Sequence, residues 1–471
     1  MSEYNKITIL FAMVALFIGF QIVPYLLIFT ALAYSFFFIG KRNINFDLNL
    51  YLYVTVVVLL QWLIISLYRG LFIEDGSSSY FFYNKLAILI VLGSIYSRYI
   101  FSSNFFKNLP LTFYILVTLV MFSFVRSSAG LDIAIKYLLN TYFPLFFLYL
   151  LFFVDVEVKS FNINRAKLDF TLLFLILINL LYVVLDYLTC FDFSAAMSSV
   201  LGFFREDSVA IIVNVCGMPK SFDAGTVTNF IGFDDVIRVS GIIGDFILAG
   251  HFWGGIAFYI LYFSKFSKPF RLLFATICVF FLVISLSKGA IIALFSCVII
   301  YQIINNSFNK VLKSILCSTF VIFMILFLII ISIGSNDSSS IHYLGLIGPF
   351  EKGFNFNYVF GNDLHSGGNL SNQAFSEKLS SGAESFIGLL MHNVGILGVV
   401  MFIIIHLKIV ISAVNRDDKF YSAGTAIVLS MFIPSFLQEN VYNLSYIAPK
   451  ILVIFFLFFS FSNSKVSMNE N

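Results

Sequence analysis

Charge is scarce in this chain. Asp, Glu, Lys and Arg make up 11% of its 471 residues, against about a quarter in an ordinary soluble domain. That scarcity argues against a nucleic-acid-binding protein, which needs a concentrated basic surface, and against intrinsic disorder, which needs high charge with low hydrophobicity. Cysteine is sparse as well. The five cysteines show no C-x-x-C spacing, so neither a dense disulfide scaffold nor a zinc site is expected. There is no P-loop and no G-x-G-x-x-G opening a βαβ unit, which leaves no nucleotide site to place. No internal repeat of the kind found in many transporters is visible. The alternating ten-residue strands of a membrane barrel are missing too.

What remains is apolar. Hydrophobic residues make up 60% of the chain, and Phe alone occurs 61 times. A soluble fold cannot hide that much apolar surface, because even large domains keep much of their chain at the boundary with water. The excess must face lipid.

A helical span needs about 20 apolar residues. Fourteen stretches qualify: Ile7–Gly19, Pro24–Ile39, Leu50–Tyr68, Leu86–Phe101, Leu111–Val125, Ile133–Val154, Leu168–Leu188, Ile243–Phe263, Arg271–Ser287, Ala290–Ile304, Ser314–Gly334, Phe386–His406, Tyr421–Leu437 and Tyr446–Phe461. The first two are short, and one long bent helix is an alternative for them. Met1–Lys6 precedes an apolar run with no small-residue cleavage site, so the first span is expected to be an uncleaved anchor.

The expected fold class is all-α: one polytopic integral membrane domain over residues 1–471, with about 12–14 transmembrane helices. Basic residues orient it, because they accumulate in short cytoplasmic loops. With both termini cytoplasmic, 17 of the 28 basic residues fall inside and 17 of the 25 acids fall outside. The inside then carries +9 and the outside −6, which together give the overall +3. A bacterial inner membrane is the simplest location.

On this topology two outer loops are long, 189–242 and 335–385. Loops beyond about 15 residues are usually functional or disordered. The second holds His342, Tyr343, Phe350, Phe354, Phe356, Tyr358 and Phe360 among Ser, Gly and Asn. Aromatic rings beside such polar groups suit a sugar, which offers apolar faces and hydroxyl edges; a loop packing on itself is the alternative. Cys190 and Cys216 share the first long loop on the oxidising side and could pair, although Cys190 sits at the membrane edge. Cys278, Cys297 and Cys317 lie within spans and read as small packing residues.

Several cations stand at outer span ends: Arg69, Arg126, Arg238 and Lys288. Each alone could be a side chain snorkelling to the headgroups. Converging, they would suit a pyrophosphate, which arginine holds bidentately. Arg238 opens the segment Arg238-Val-Ser-Gly241-Ile-Ile-Gly244-Asp245. Lys288 sits in Ser285-Leu-Ser287-Lys288-Gly289. Glu384 precedes the twelfth span, and His392 follows eight residues on in the same apolar segment, before Gly395 and Gly398. On a continuous helix the two would differ by about 80° around the axis and roughly 12 Å in depth.

The order Arg-x-x-Gly-x-x-x-Asp, then Ser-x-Ser-[Arg/Lys]-Gly, then a large outer loop with Tyr358-Val-Phe-Gly361-Asn-Asp-Leu-His-Ser-Gly-Gly, then Gly395-x-x-Gly398, resembles the O-antigen polymerase and O-antigen ligase superfamily. The matching stretch runs from Arg238 to Gly398, about a third of the chain. The resemblance implies a membrane glycosyltransferase acting on undecaprenyl-pyrophosphate-linked oligosaccharides at the periplasmic face, with no cofactor and no metal. Its partners would be those lipid-linked glycans, the bilayer, a chain-length regulator and a flippase, and no nucleic acid. Arg238 would be catalytic and would hold the lipid pyrophosphate with Arg126 and Lys288. Glu384 would be the general base, its carboxyl raised in pKa by membrane burial, with Asp245 and His392 supporting.

Lys288 stands where the family usually has arginine, which keeps the charge but loses bidentate geometry. In the ligases a His stands nine residues before Gly-x-x-[Gly/Thr/Tyr]. Here that register holds Glu384-Ser385, and His392 is out of register. The pattern favours a polymerase. A ligase acting on lipid A core and a flippase or transporter of lipid-linked oligosaccharide are the alternatives.

Overall fold

The computed structural model describes residues 109–127, 130–153, 165–193, 210–223, 227–230, 233–243, 245–334, 338–371, 374–416 and 418–444, with isolated positions at 90 and from 446 to 457. Apart from Ile90, the four spans expected before residue 109 lie outside the described residues. So does Arg69.

The helices are α1 Leu111–Val125, α2 Leu131–Tyr137, α3 Phe143–Phe153, α4 Arg165–Leu188, α5 Phe246–Phe263, α6 Lys268–Ile284, α7 Lys288–Asn305, α8 Lys310–Gly334, α9 Ser338–Ile347, α10 Phe356–Phe360, α11 Phe375–Ser380, α12 Phe386–Arg416 and α13 Lys419–Phe432. A π turn, Leu138–Tyr142, joins α2 to α3. Six of the described helical stretches are long and apolar enough to cross a membrane. The described chain is thus a mainly helical membrane protein, as expected. Its lipid-facing surface is plainest on α8, where Ile322, Phe323, Leu326, Ile330 and Ile333 are exposed.

α1 covers the same residues as its expected span. Others run on into charged sequence. α6 begins at Lys268 and α8 at Lys310, and α12 continues to Arg416. Hydropathy stops at the first charge, but the hydrogen-bond ladder does not, because Lys and Arg are good helix formers whose long stems reach toward the headgroups.

Contacts divide the described chain into two compact units. The first contains Asn162–Ile291, and the second contains Leu92–Phe161 with Ile292–Asn471.

In the first unit the long loop folds into two antiparallel hairpins: β1 Ala210–Val215 with β2 Met218–Asp223, and β3 Val227–Phe230 with β4 Phe233–Ile237. The first hairpin turns through Cys216 and Gly217, with φ of 52° and 81°, as a two-residue hairpin turn of the primed kind requires. Cys190 and Cys216 are joined by a disulfide, which ties the hairpin tip to the chain just beyond α4. Lys220 Nζ reinforces the tie by donating to Cys190 O at 2.7 Å. Within the same unit, the buried Asp169 of α4 accepts from Tyr259 Oη at 3.1 Å and from Lys265 N at 2.7 Å.

In the second unit, α1 and α12 pack together around a break in α12. Gly395 has φ 79° and ψ −179° inside an otherwise helical run. The break frees carbonyls that a continuous helix would use, and neighbours take them up. Asn362 N donates to His392 O at 2.8 Å, and Ser123 Oγ donates to Asn393 O at 2.6 Å. Such re-satisfaction is what allows a broken helix at membrane depth. The backbones meet without room for a side chain. A Cβ on Gly361 would lie 2.2 Å from Asn393 O, and one on Gly395 would lie 2.3 Å from Val359 O. After the break, residues 396–416 alone span about 31 Å, enough for the hydrocarbon layer. His392 belongs to the separate short segment 386–394.

The second long loop, 335–385, contains α9, α10 and α11 and folds onto that segment. The thirteenth helix stops at Phe432, short of the expected Leu437, because Pro434 cannot continue the ladder.

Candidate functional site

Two clusters hold the expected site residues, one in each unit.

In the first unit, β4 delivers the chain to Arg238, and Val239 N donates to Ile284 O at 3.0 Å. That bond brings the Arg238 segment to the turn before Lys288. The turn is tight: Leu286 has φ 50°, a region costly for a branched side chain. Gly250 of α5 packs against it closely, its Cβ position lying 2.8 Å from Ser285 Oγ and from Ser287 Cβ. Ser285 Oγ donates back to Leu282 O at 2.7 Å. The buried hydroxyl of Ser287 has no hydrogen-bond partner among the described residues, which leaves a polar atom for a ligand or a water to satisfy.

Asp245 caps α5, its Oδ1 accepting from Leu248 N at 2.7 Å, a role sufficient to account for it. Arg238 is half-buried. Burial pushes its guanidinium pKa down, and the Asp245 carboxylate pushes it up. Lys288 is exposed at the start of α7. Arg238, Asp245 and Lys288 therefore gather in one unit.

In the second unit, Arg126 ends α1. Its Nη1 donates to Gly361 O at 2.7 Å and its Nη2 to Asn357 Oδ1 at 3.0 Å. Its guanidinium also lies over the Phe122 and Phe356 rings. Next along the loop, Asn362 Nδ2 approaches His392 Nδ1 at 3.2 Å, and Lys352 Nζ approaches the same nitrogen at 3.1 Å. An ammonium has no lone pair, so Nδ1 must be the acceptor. The ring proton is then on Nε2, which lies 3.0 Å from Ser366 Oγ. In this tautomer His392 donates to Ser366 and cannot take its proton. Asp363 Oδ1 accepts from the backbone of His365 and Ser366 and holds that turn.

Against the same loop, from a later connection, lies a buried carboxyl. Glu439 follows α13 in a 3-10 turn, Glu439–Tyr442. Its Oε1 accepts from Tyr137 Oη at 3.1 Å. Its Oε2 accepts from Asn369 N at 3.0 Å and from Glu384 N at 3.3 Å. Burial raises its pKa to about 7, against the opposing effect of these hydrogen bonds.

Glu384 itself precedes α12 and has φ 69°. It is not a helical residue, so no helical rotation relates it to His392. Its side chain is 32% exposed and lies 3.3 Å from His342 Nδ1. The burial that sequence reasoning assigned to Glu384 is found at Glu439 instead.

Arg126, His392 and Glu384 thus line one connected set of groups on the second long loop. Sequence reasoning missed Lys352, Asn362 and Glu439 as site residues. Lys352 was visible as a basic residue on the outer side, against the general bias, and Glu439 as an acid in a short connection between two apolar runs. No family model, curated protein or solved structure matches this chain.

Proposed function

We propose that this protein is a membrane glycosyltransferase that polymerises undecaprenyl-pyrophosphate-linked oligosaccharide repeat units at the periplasmic face of a bacterial inner membrane. The observation that carries the reading is the seat of the second long loop on the broken α12. It gathers Arg126, Lys352, His392 and Glu384, along with the buried Glu439, around one loop. The disulfide in the first long loop supports an oxidising compartment on that side.

In this reading the growing glycan leaves its pyrophosphate carrier and joins a hydroxyl of a second lipid-linked repeat unit. Glu384 accepts the proton of that hydroxyl as the oxygen attacks the anomeric carbon. The anomeric carbon–oxygen bond to the pyrophosphate breaks, and cations preorganised toward the departing group stabilise it. Arg238 and Lys288, both in the first unit, are candidate cations for a lipid pyrophosphate. Arg126 offers a cation in the other unit. The reaction consumes two lipids that both carry pyrophosphate, so more than one cationic place is needed.

The test is deletion of the gene followed by gel analysis of surface glycan. A single repeat unit remaining on the surface supports the polymerase. Long polymer that never reaches lipid A core supports a ligase, and loss of all surface glycan with stranded repeat units supports a flippase. Restoring the chain with Glu384→Gln is expected to leave protein levels intact and to yield no polymer; normal polymer would remove Glu384 from the mechanism.

A further inference from the structure

Glu439 stands where three segments, far apart in the chain, meet. Its Oε1 accepts from Tyr137 Oη of α2 at 3.1 Å. Its Oε2 accepts from Asn369 N of the second long loop at 3.0 Å and from Glu384 N, just before α12, at 3.3 Å. All three partners are donors, so the set matches an ionised carboxylate, which only accepts. A neutral carboxyl must place a proton among them, and the one oxygen available, Tyr137 Oη, already accepts from Leu370 N at 2.9 Å. The loop is shaped to this pair of side chains. Gly368 has φ 71°, and a Cβ there would collide with Tyr137 Oη and stand 2.9 Å from Glu439 Oε1.

Glu384 is the residue this arrangement holds. Its φ of 69° is a conformation that residues with side chains rarely adopt. Glu439 takes its amide. From the other side, His342 Nδ1 of α9 lies 3.2 Å from its carbonyl oxygen and 3.3 Å from its carboxylate. Both of those oxygens are acceptors, so that nitrogen carries the ring proton. Backbone and side chain of Glu384 are fixed together, while the carboxylate keeps part of its surface exposed.

We propose that Glu439 is a positioning residue for Glu384: its carboxylate gathers the loop at Asn369 and the approach to α12 onto one acceptor, and so sets the direction in which Glu384 presents its own carboxylate to a substrate hydroxyl. The task of Glu384 rests on the glycosyltransferase reading; the hold on its backbone does not. Burial brings the Glu439 carboxyl up to about 7, so the hold changes strength near neutral pH. Hydrogen bonds to a charged acceptor are the stronger ones. Ionisation therefore tightens this junction even as burying the charge costs the fold stability. The groups that face Glu439 are Tyr137 from α2, Tyr142 from the π turn and Glu384 itself. No basic side chain pairs with it among the described residues. Further out stand Lys378 of α11, which donates to Asn369 O at 3.3 Å, and His342 on Glu384.

The experiment follows amide hydrogen exchange of the full chain in phosphatidylcholine nanodiscs, by mass spectrometry of fragments covering 366–371 and 381–386. Rates are expressed as protection factors, which removes the intrinsic acceleration of exchange by base. Wild type is expected to be about tenfold better protected in both fragments at pH 8 than at pH 6. Protection that does not rise with pH overturns the proposal without any variant. Glu439→Gln keeps the shape but cannot ionise, and it is expected to show the low protection at both pH values; wild-type protection at pH 8 overturns the proposal. Thermal unfolding at pH 6 excludes misfolding of the variant. In the deletion strain, Glu439→Gln is expected to lower polymer at least tenfold in medium at pH 8 and to leave its amount indifferent to pH between 6 and 8. Protection lost in Glu439→Gln, while gene deletion leaves polymer normal, keeps the hold on Glu384 and removes the polymerase reading. Polymer lost on deletion but made by Glu439→Gln in wild-type amount, with the wild-type pH profile, keeps the polymerase and overturns the positioning role.

Discussion

Each candidate cluster contains a bulky residue at positive φ, Leu286 in the first unit and Glu384 in the second. They are held by different means. Around Leu286 the fixing bonds are mostly local: Ser285 to Leu282, Leu286 N to Val283 O, and Ala290 N to Ser287 O. Around Glu384 they come from far along the chain, from Glu439 and His342, and Glu439 is itself held by Tyr137. One region is set by a short stretch of sequence, in a unit that also holds the disulfide. The other exists only once distant segments have met. Disturbance of the first should therefore remain local, whereas disturbance of the second should propagate through its unit.

The largest expected effect is at the glycine seam of the second unit. Gly395→Ala puts a Cβ about 2.3 Å from backbone atoms in a left-handed conformation. It should cost at least about 4 kcal/mol or abolish the monodisperse peak on size exclusion in detergent. A stable variant would mean the seam opens without cost. Next comes the disulfide. Closing a loop with a sequence separation of 26 residues is worth about 3.5 kcal/mol on the chain-entropy model. Cys216→Ser should lower the unfolding temperature; an unchanged temperature would show that the tie adds nothing to stability.

The third concerns pH. The Glu439 carboxyl is raised from 4.5 to about 7, so its protonated form is the one folding favours. Its contribution is whole below about pH 4.5 and is lost as pH rises through about 7, amounting to up to about 3 kcal/mol. Unfolding in detergent measured from pH 5 to 8 should show this decline, and Glu439→Gln should flatten it. An equal slope in the variant would place the titration elsewhere. The smallest effect is expected at Gly217 in the hairpin tip. It also has positive φ but nothing within 4 Å of its Cβ position. Gly217→Ala should cost about 1 kcal/mol, and a much larger loss would show that the turn is packed.

How far the sequence could be read follows the same division. Apolar runs located α1, α4 and α5 closely, and the combined stretch Leu131–Phe153 as one span without its division into α2, π turn and α3, because lipid burial rewards each span independently of the others. The Arg238 and Lys288 motifs were readable because their chemistry sits within a few residues. The Glu439 carboxyl was not, because its meaning depends on Tyr137 and Asn369, 302 and 70 residues away. The break at Gly395 was hidden for a related reason. A Gly-x-x-Gly inside an apolar run reads as close helix packing, and the partner that breaks the ladder is Val359–Gly361 in a separate loop.

The π turn at Leu138–Tyr142 has a consequence for insertion and deletion. In a regular α-helix, residues five apart point about 140° away from each other. The wider i→i+5 turn brings them nearly into line. Tyr137 and Tyr142 are spaced in this way. Tyr137 Oη reaches Glu439, and Tyr142 Oη accepts from Asn393 Nδ2. The helix therefore carries one residue more than its length requires, and that residue sets the reading frame of its inward face. Removing a single residue between 138 and 142 would restore an ordinary helix and leave every apolar contact type in place. It would also rotate one tyrosine out of the polar interior, a length defect that no substitution at either tyrosine would imitate.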